Sequence, residues 1–318
     1  MQLIRPFVVG VAGIMVAAFV GGCGSGSGAT SFEPGKVNVA VALYPIEEIV
    51  RSVGGSAVSV IELVPPGESA HDYEPTPQQV TALQSAQLVF YLGGGFQPNV
   101  EKAIASLPAR VRKVDLLANM SLIAVVDQLA GTAGTTAGEV LGNGADPHVW
   151  LSPNNMKLMA ADVVAALRAM SGVDAGGLTA RAAAYGVGMD DLDTSFRAGL
   201  SACRSRVIVT SHRAFGYLAK SYGLQQIAIS GISPAEEPSA KTLQAVAGAA
   251  RVNNVTTIFF ENNLPSDLAN TIAREVGATT AVLDPVETLS KDQINAHANY
   301  VSVMRQNLVA LEKGLGCS

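Results

Sequence analysis

The chain has 318 residues, of which 48% are hydrophobic and 15% charged, with a mean hydropathy of +0.30. That is more apolar material than a single core comfortably holds, so two domains are expected. A formal net charge of -5 sets nucleic acid aside as a partner.

The N-terminus carries Arg5, then an apolar stretch over 7–20 broken by Gly10 and Gly13, then Val20-Gly21-Gly22-Cys23 and a Gly/Ser run over 24–28. A membrane-spanning helix needs roughly 20 unbroken apolar residues, and this stretch is too short. It reads as a signal peptide over 1–22 with a lipoprotein-type box, Cys23 being the lipidated residue, and 23–36 as a flexible tether. An exported chain, lipid-anchored at Cys23 to the outer face of the cytoplasmic membrane, is the expectation. Two cysteines then remain, Cys203 and Cys317. An oxidising compartment favours pairing them, with two free buried thiols as the alternative.

Apolar runs alternate with helical periods from there on, which predicts parallel β/α units. A strand over 37–43 is followed by a helix over 46–53, and a strand over 58–64 stops at Pro65-Pro66-Gly67. Thr76 and Pro77 are a helix start, and a strand over 88–92 ends at Gly93-Gly94-Gly95. A helix over 96–107 and a strand over 111–116 complete the first set. The Gly/Thr/Ala-rich stretch within 118–145 has no period and reads as an exposed loop. Ser152-Pro153 caps the next helix, with helical patterns over 156–170 and 178–200, the second a candidate connector weakened by Gly186 and Gly188. The design then repeats: strands over 206–210, 224–229, 256–260 and 280–283, helices over 214–222, 240–252 and 266–276, and a last helix over 296–311. Gly223 is read as a helix C-cap. The predicted fold is α/β, two lobes each with a mainly parallel sheet flanked by helices, joined by one long helix: a first lobe over 37–173, the connector over 174–200 and a second lobe over 201–318.

Three of the four histidines, His71, His148 and His212, fall just past an apolar run in a turn rich in Pro, Gly, Ser or Asp, and Asp284 repeats that placement. A single loop histidine is more often solvated than ligating. Side chains at the C-terminal ends of parallel strands, however, converge on one crevice, so equivalent placements reinforce one another. Three neutral imidazoles leave both charges of a zinc ion uncompensated, and the Asp284 carboxylate would reduce that charge and complete a tetrahedron. As a turn former before Pro285, Asp284 has an ordinary alternative role. Glu68, Asp72, Asp146 and Glu261 are candidates for orienting the ligands from outside. His297 is read as a surface residue inside the last helix. With a vacant fourth position such a site would instead be that of a zinc-dependent hydrolase, although the sequence carries no HExxH pattern.

The motifs Pro65-Pro66-Gly67-Glu68-Ser69-Ala70-His71-Asp72-Tyr73, Asp146-Pro147-His148-Val149-Trp150-Leu151, Ser211-His212-Arg213-Ala214-Phe215-Gly216-Tyr217 and Leu283-Asp284-Pro285 resemble those of the zinc/manganese solute-binding lipoproteins of ABC metal importers, cluster A-I, zinc-uptake type. The resemblance runs from about 37 to 311. It implies a metal held between two lobes by His71, His148, His212 and Asp284, and a monomer that hands its cargo to an ABC permease rather than an enzyme. Members with histidine at the third place are usually zinc proteins, which favours zinc(II) over manganese(II) or iron(II). Zinc members often carry a histidine-rich or acidic loop ahead of Asp-Pro-His, whereas 127–145 contains no histidine. A surface adhesin stabilised by metal is a further alternative for an outward-displayed lipoprotein.

Overall fold

Both sheets are built around central strands buried on both faces, Val37–Val41 with Leu88–Tyr91 and Val207–Thr210 with Thr257–Phe260, the pattern of parallel sheets covered by helices on each side. In the computed structural model, which describes residues 31–125, 144–235, 237–262 and 265–318, they are two four-stranded, all-parallel sheets. The expected signal peptide, Cys23 and nearly all of the 127–145 loop lie outside the described residues.

The first sheet has β1 (Val37–Val41), β2 (Val58–Glu62), β3 (Leu88–Tyr91) and β4 (Arg112–Asp115) in the order β2-β1-β3-β4. The second has β5 (Val207–Thr210), β6 (Gln225–Ala228), β7 (Thr257–Phe260) and β8 (Thr279–Val282) in the equivalent order β6-β5-β7-β8. In each, the strand order reverses beside the first strand, and a crevice opens at the C-terminal ends. Residues that follow the strands are therefore delivered to one place.

Local chemistry sets the helices of the first lobe. α1 (Tyr44–Gly54) has a proline in its first turn, and α2 (Pro77–Leu83) opens on a Thr76/Gln79 capping box. α3 (Pro98–Ala105) and α4 (Pro153–Arg168) also start on proline. Ser152 stands at the N-cap of α4, but its hydroxyl makes no capping bond there. α5 (Ala175–Gly199) is the expected long connector, about 38 Å at 1.5 Å per residue. Asp174 starts it by accepting from the amides of Gly176 and Gly177.

In the second lobe, α6 (Gly216–Tyr222) ends at Gly223 with φ 67°, the left-handed cap that the sequence indicated. α7 (Ala240–Val252) and α8 (Asp267–Val276) flank the second sheet. The helix expected over 296–311 is α10 (Tyr300–Leu315), which starts four residues later, and a short helix not expected from the sequence, α9 (Lys291–Asn295), precedes it. His297 lies between them, exposed and with φ 53°, so it is on the surface as expected but not in a helix. Asn299 restarts the chain as a cap, accepting from Ser302 N–H.

Two separate cores were expected, and the core is organised differently. One connected cluster runs through both lobes, joining Ile49 and Val53 of α1, Phe196 of α5, Phe215, Phe259 of β7 and Tyr300 of α10. A smaller cluster, including Val209, Val246, Ile258 and Ile272, fills the remaining side of the second sheet. α5 and α10 cause the merger by packing on each other and on elements of both lobes. Cys203 and Cys317 form a disulfide that fastens the end of α10 beside the end of α5. Among the described residues no helix is long and apolar enough to cross a membrane.

Candidate metal site

Four loop segments supply the site, three of them after strands. The β2–α2 loop brings His71 inward, and the Asp146-Pro147-His148 turn runs into a 3₁₀ turn, Val149–Leu151, and then α4. His212 follows β5, where its carbonyl accepts from Thr210 Oγ1 at 2.7 Å and Gln226 Nε2 at 3.0 Å. The fourth turn leaves β8 through Asp284 and Pro285 and reaches Glu287. Thr288 joins the first and last of these across the lobes: its Oγ1 accepts from Gly67 N–H at 3.1 Å and lies 3.4 Å from the Pro65 carbonyl.

Among the described residues, His71, His148, His212 and Glu287 each offer a ligand atom, all within 4.8 Å of one another. Glu287 Oε1 lies 3.4 Å from His71 Nε2, 3.6 Å from His148 Nε2 and 3.3 Å from His212 Nε2. All four side chains are buried. The outer nitrogens of two rings are already taken: His148 Nδ1 is 2.8 Å from Asp146 Oδ1, and His212 Nδ1 is 2.5 Å from Glu261 Oε1. Carboxylates in those positions fix tautomer and ring orientation, so each Nε2 faces the centre and presents its lone pair there once its proton is lost. His212 Nε2 is fully buried and has no well-aligned hydrogen-bond partner, the state expected of an atom shaped for an ion.

The protonation of the ion-free site follows from the same contacts. Burial alone would lower the His212 pKa, but the Glu261 and Glu287 carboxylates outweigh it and push it up to about 10. His148 is likewise raised: burial opposes the shift, and its bonds to Asp146 and Glu287 prevail. For Glu287, burial acts upward and is overcome by the three imidazoles, which hold its carboxyl well below the usual carboxylate range. Protons thus occupy the positive role that a cation would take.

Sequence reasoning brought the three histidines to one crevice but placed Asp284 beside them, where the structure places Glu287. The Asp284 oxygens are committed to their own turn. Oδ1 accepts from Val286 N–H at 2.7 Å, and Oδ2 accepts from Gln293 Nε2 at 2.7 Å and Asn262 Nδ2 at 3.3 Å. The charge argument for one carboxylate still holds, and Glu287 meets it three residues later. Of the four outer candidates, Asp146 and Glu261 sit on imidazoles, whereas Glu68 and Asp72 are exposed. Glu68 lines a cleft together with Glu261, Asp284 and Glu287, an acidic approach that favours cations.

Trp150 closes the floor of the site. Its ring is 5.1 Å from that of His148, its Nε1–H donates to the Pro285 carbonyl at 2.7 Å, and its own carbonyl accepts from Tyr300 Oη at 2.5 Å.

Comparison with known proteins yields a match over residues 39–314 to the family model described as zinc-uptake complex component A, periplasmic. The chain is 34% identical over 280 residues to the zinc-binding lipoprotein AdcA of Streptococcus pneumoniae, covering 88% of this chain but only 56% of that relative. It therefore spans a little over half the length of that protein. To the high-affinity zinc uptake system protein ZnuA of Bacillus subtilis it is 31% identical over 319 residues, covering 97% of this chain and 96% of the relative. Among solved structures, the Zn(II)-bound ZnuA-like domain of Streptococcus pneumoniae AdcA superposes with a TM-score of 0.73 at 34% identity, covering 88% of this chain and 99% of that one.

Proposed function

This chain belongs to the zinc-uptake component A family, and from that premise we propose that it captures zinc(II) outside the cytoplasm through His71, His148, His212 and Glu287 and delivers it to the permease of an ABC importer. The observation that carries the reading is the convergence of three imidazole Nε2 atoms and one carboxylate oxygen within 4.8 Å, with two of the rings clamped from behind by Asp146 and Glu261. Three nitrogens and one oxygen suit Zn²⁺, whereas Mn²⁺ favours more oxygen donors. Glu287 as fourth donor completes a tetrahedron and leaves no position for an activated water, which supports a carrier over a hydrolase.

Export and lipid anchoring at Cys23 are part of this proposal, as is the division into a first lobe over 37–173, a connecting helix over 174–200 and a second lobe over 201–318. The acidic cleft with Glu68 at its rim draws the cation in, and the ligands release protons as they take it.

Elemental analysis tests the assignment. Protein from Ser27 onward, purified without added metal, is expected to hold one equivalent of zinc, and His212→Ala and Glu287→Ala to hold far less. Equal metal in the wild type and either variant removes that residue from the site.

A further inference from the structure

Val286 is fully buried and has φ 57°, which places a β-branched side chain in the left-handed region that such residues avoid. Its position is the link between Asp284-Pro285 and Glu287. If the backbone at 286 relaxed to an ordinary extended or right-handed conformation, the chain direction after it would change and Glu287 would leave the imidazoles. Something must hold the turn, and the restraints are visible.

The Val286 amide donates to Asp284 Oδ1 at 2.7 Å, closing an Asx turn across Pro285 that fixes the peptide plane leading into the strained residue. Gln293 Nε2, on α9, steadies the second oxygen of the same carboxylate at 2.7 Å. Asn307, buried on α10, reads both sides of the Asp284 backbone: its Oδ1 accepts from Asp284 N–H at 2.8 Å and its Nδ2 donates to Asp284 C=O at 2.7 Å. Trp150 anchors the next carbonyl, that of Pro285. Every polar atom of Asp284 is thereby engaged with the turn or its supports.

We propose that Asp284 is a positioning residue for zinc, holding the 284–287 turn in the left-handed form that presents Glu287 to the three imidazoles before the ion arrives. The proposal rests on the reading of this centre as a zinc site. A donor fixed in advance loses no conformational freedom when the ion binds, so the restraint is expressed as affinity. Asp284 acts through Glu287 and contributes no ligand atom of its own.

The test is a double-mutant cycle on the purified chain. Zinc Kd is measured by competition with a chromophoric chelator for the wild type, Asp284→Ala, Glu287→Gln and the double variant, with the melting temperature of each ion-free protein recorded alongside. Asp284→Ala is expected to weaken zinc by about tenfold to a hundredfold, the range for outer partners of metal ligands, and to have little further effect once Glu287 is Gln. Adding Val286→Gly to Asp284→Ala should recover part of the loss, because glycine adopts positive φ without steric cost. Equal losses in both backgrounds would overturn the inference, since Asp284 would then act independently of Glu287. So would an Asp284→Ala protein with a lower melting temperature and unchanged Kd, whose role would be structural only.

Should Asp284→Ala not fold, Asp284→Asn decides the matter. It keeps the Oδ1 acceptor for Val286 N–H but turns an amide donor towards Gln293 Nε2 and Asn262 Nδ2, so a zinc affinity between those of the wild type and Glu287→Gln supports positioning, and a loss as large as that of Glu287→Gln overturns it. Wild-type protein that takes up no zinc overturns the capture reading and this inference together, whereas zinc binding with additive losses overturns this inference alone.

Discussion

His212 gives the clearest case of a residue whose chemistry is set by its neighbours. Its pKa in the ion-free fold, raised to about 10 against 6.5 in the unfolded chain, means that zinc must displace a proton from it throughout the neutral range. Apparent zinc affinity is therefore expected to rise with pH from 7 towards 10, by up to about tenfold per unit, and to fall on acidification. Chelator competition at a series of pH values checks this; a flat profile would show that no imidazole proton is exchanged. The stability of the ion-free protein runs the other way. A raised folded pKa contributes stability that is complete below the unfolded value of 6.5 and is lost as pH climbs through about 10. The three imidazoles were legible because each stands in a turn rich in Pro, Gly, Ser or Asp between predicted elements. Glu287 was not, because its direction depends on a left-handed valine, a conformation that costs about 1–3 kcal/mol and that no valine advertises in a sequence.

Elements with strong local signals were the most legible. The Thr76 cap, the Pro77 and Pro153 starts and the Gly223 cap are short-range chemistry, and the structure keeps them. The start of α10 was placed four residues early because Ala296 and Ala298 extend its apolar run, although Asn299 with Ser302 three residues on is a cap signal. α5 shows the reverse, a helix that persists through two glycines because packing overrides propensity. A Cβ built at Gly186 or Gly188 meets nothing within 4 Å. Gly188→Ala is thus expected to stabilise the protein by about 0.5–1 kcal/mol, seen as a higher melting temperature with unchanged zinc affinity. A lower melting temperature would mean that a side chain at 188 does not meet open space.

The molecule as a whole has two sheets but one main core, and the sequence could not reveal this. Composition indicates how much apolar surface exists, not whether α5 and α10 carry it across from one lobe to the other. A continuous core couples the lobes, so thermal unfolding of the ion-free chain is expected to be one cooperative transition by calorimetry. Reducing Cys203–Cys317, which encloses a separation of 114 residues, should lower that transition, by about 2–4 kcal/mol, without splitting it. Two resolved transitions would show lobes that fold independently. Trp150 has a consequence at this same scale. It is the sole indole of the chain, and it touches both the imidazole of His148 and the backbone just ahead of Glu287. The fold has in effect installed an optical gauge at the point of loading, so that uptake, hand-over and return to the empty form can be timed by its emission on the unlabelled chain.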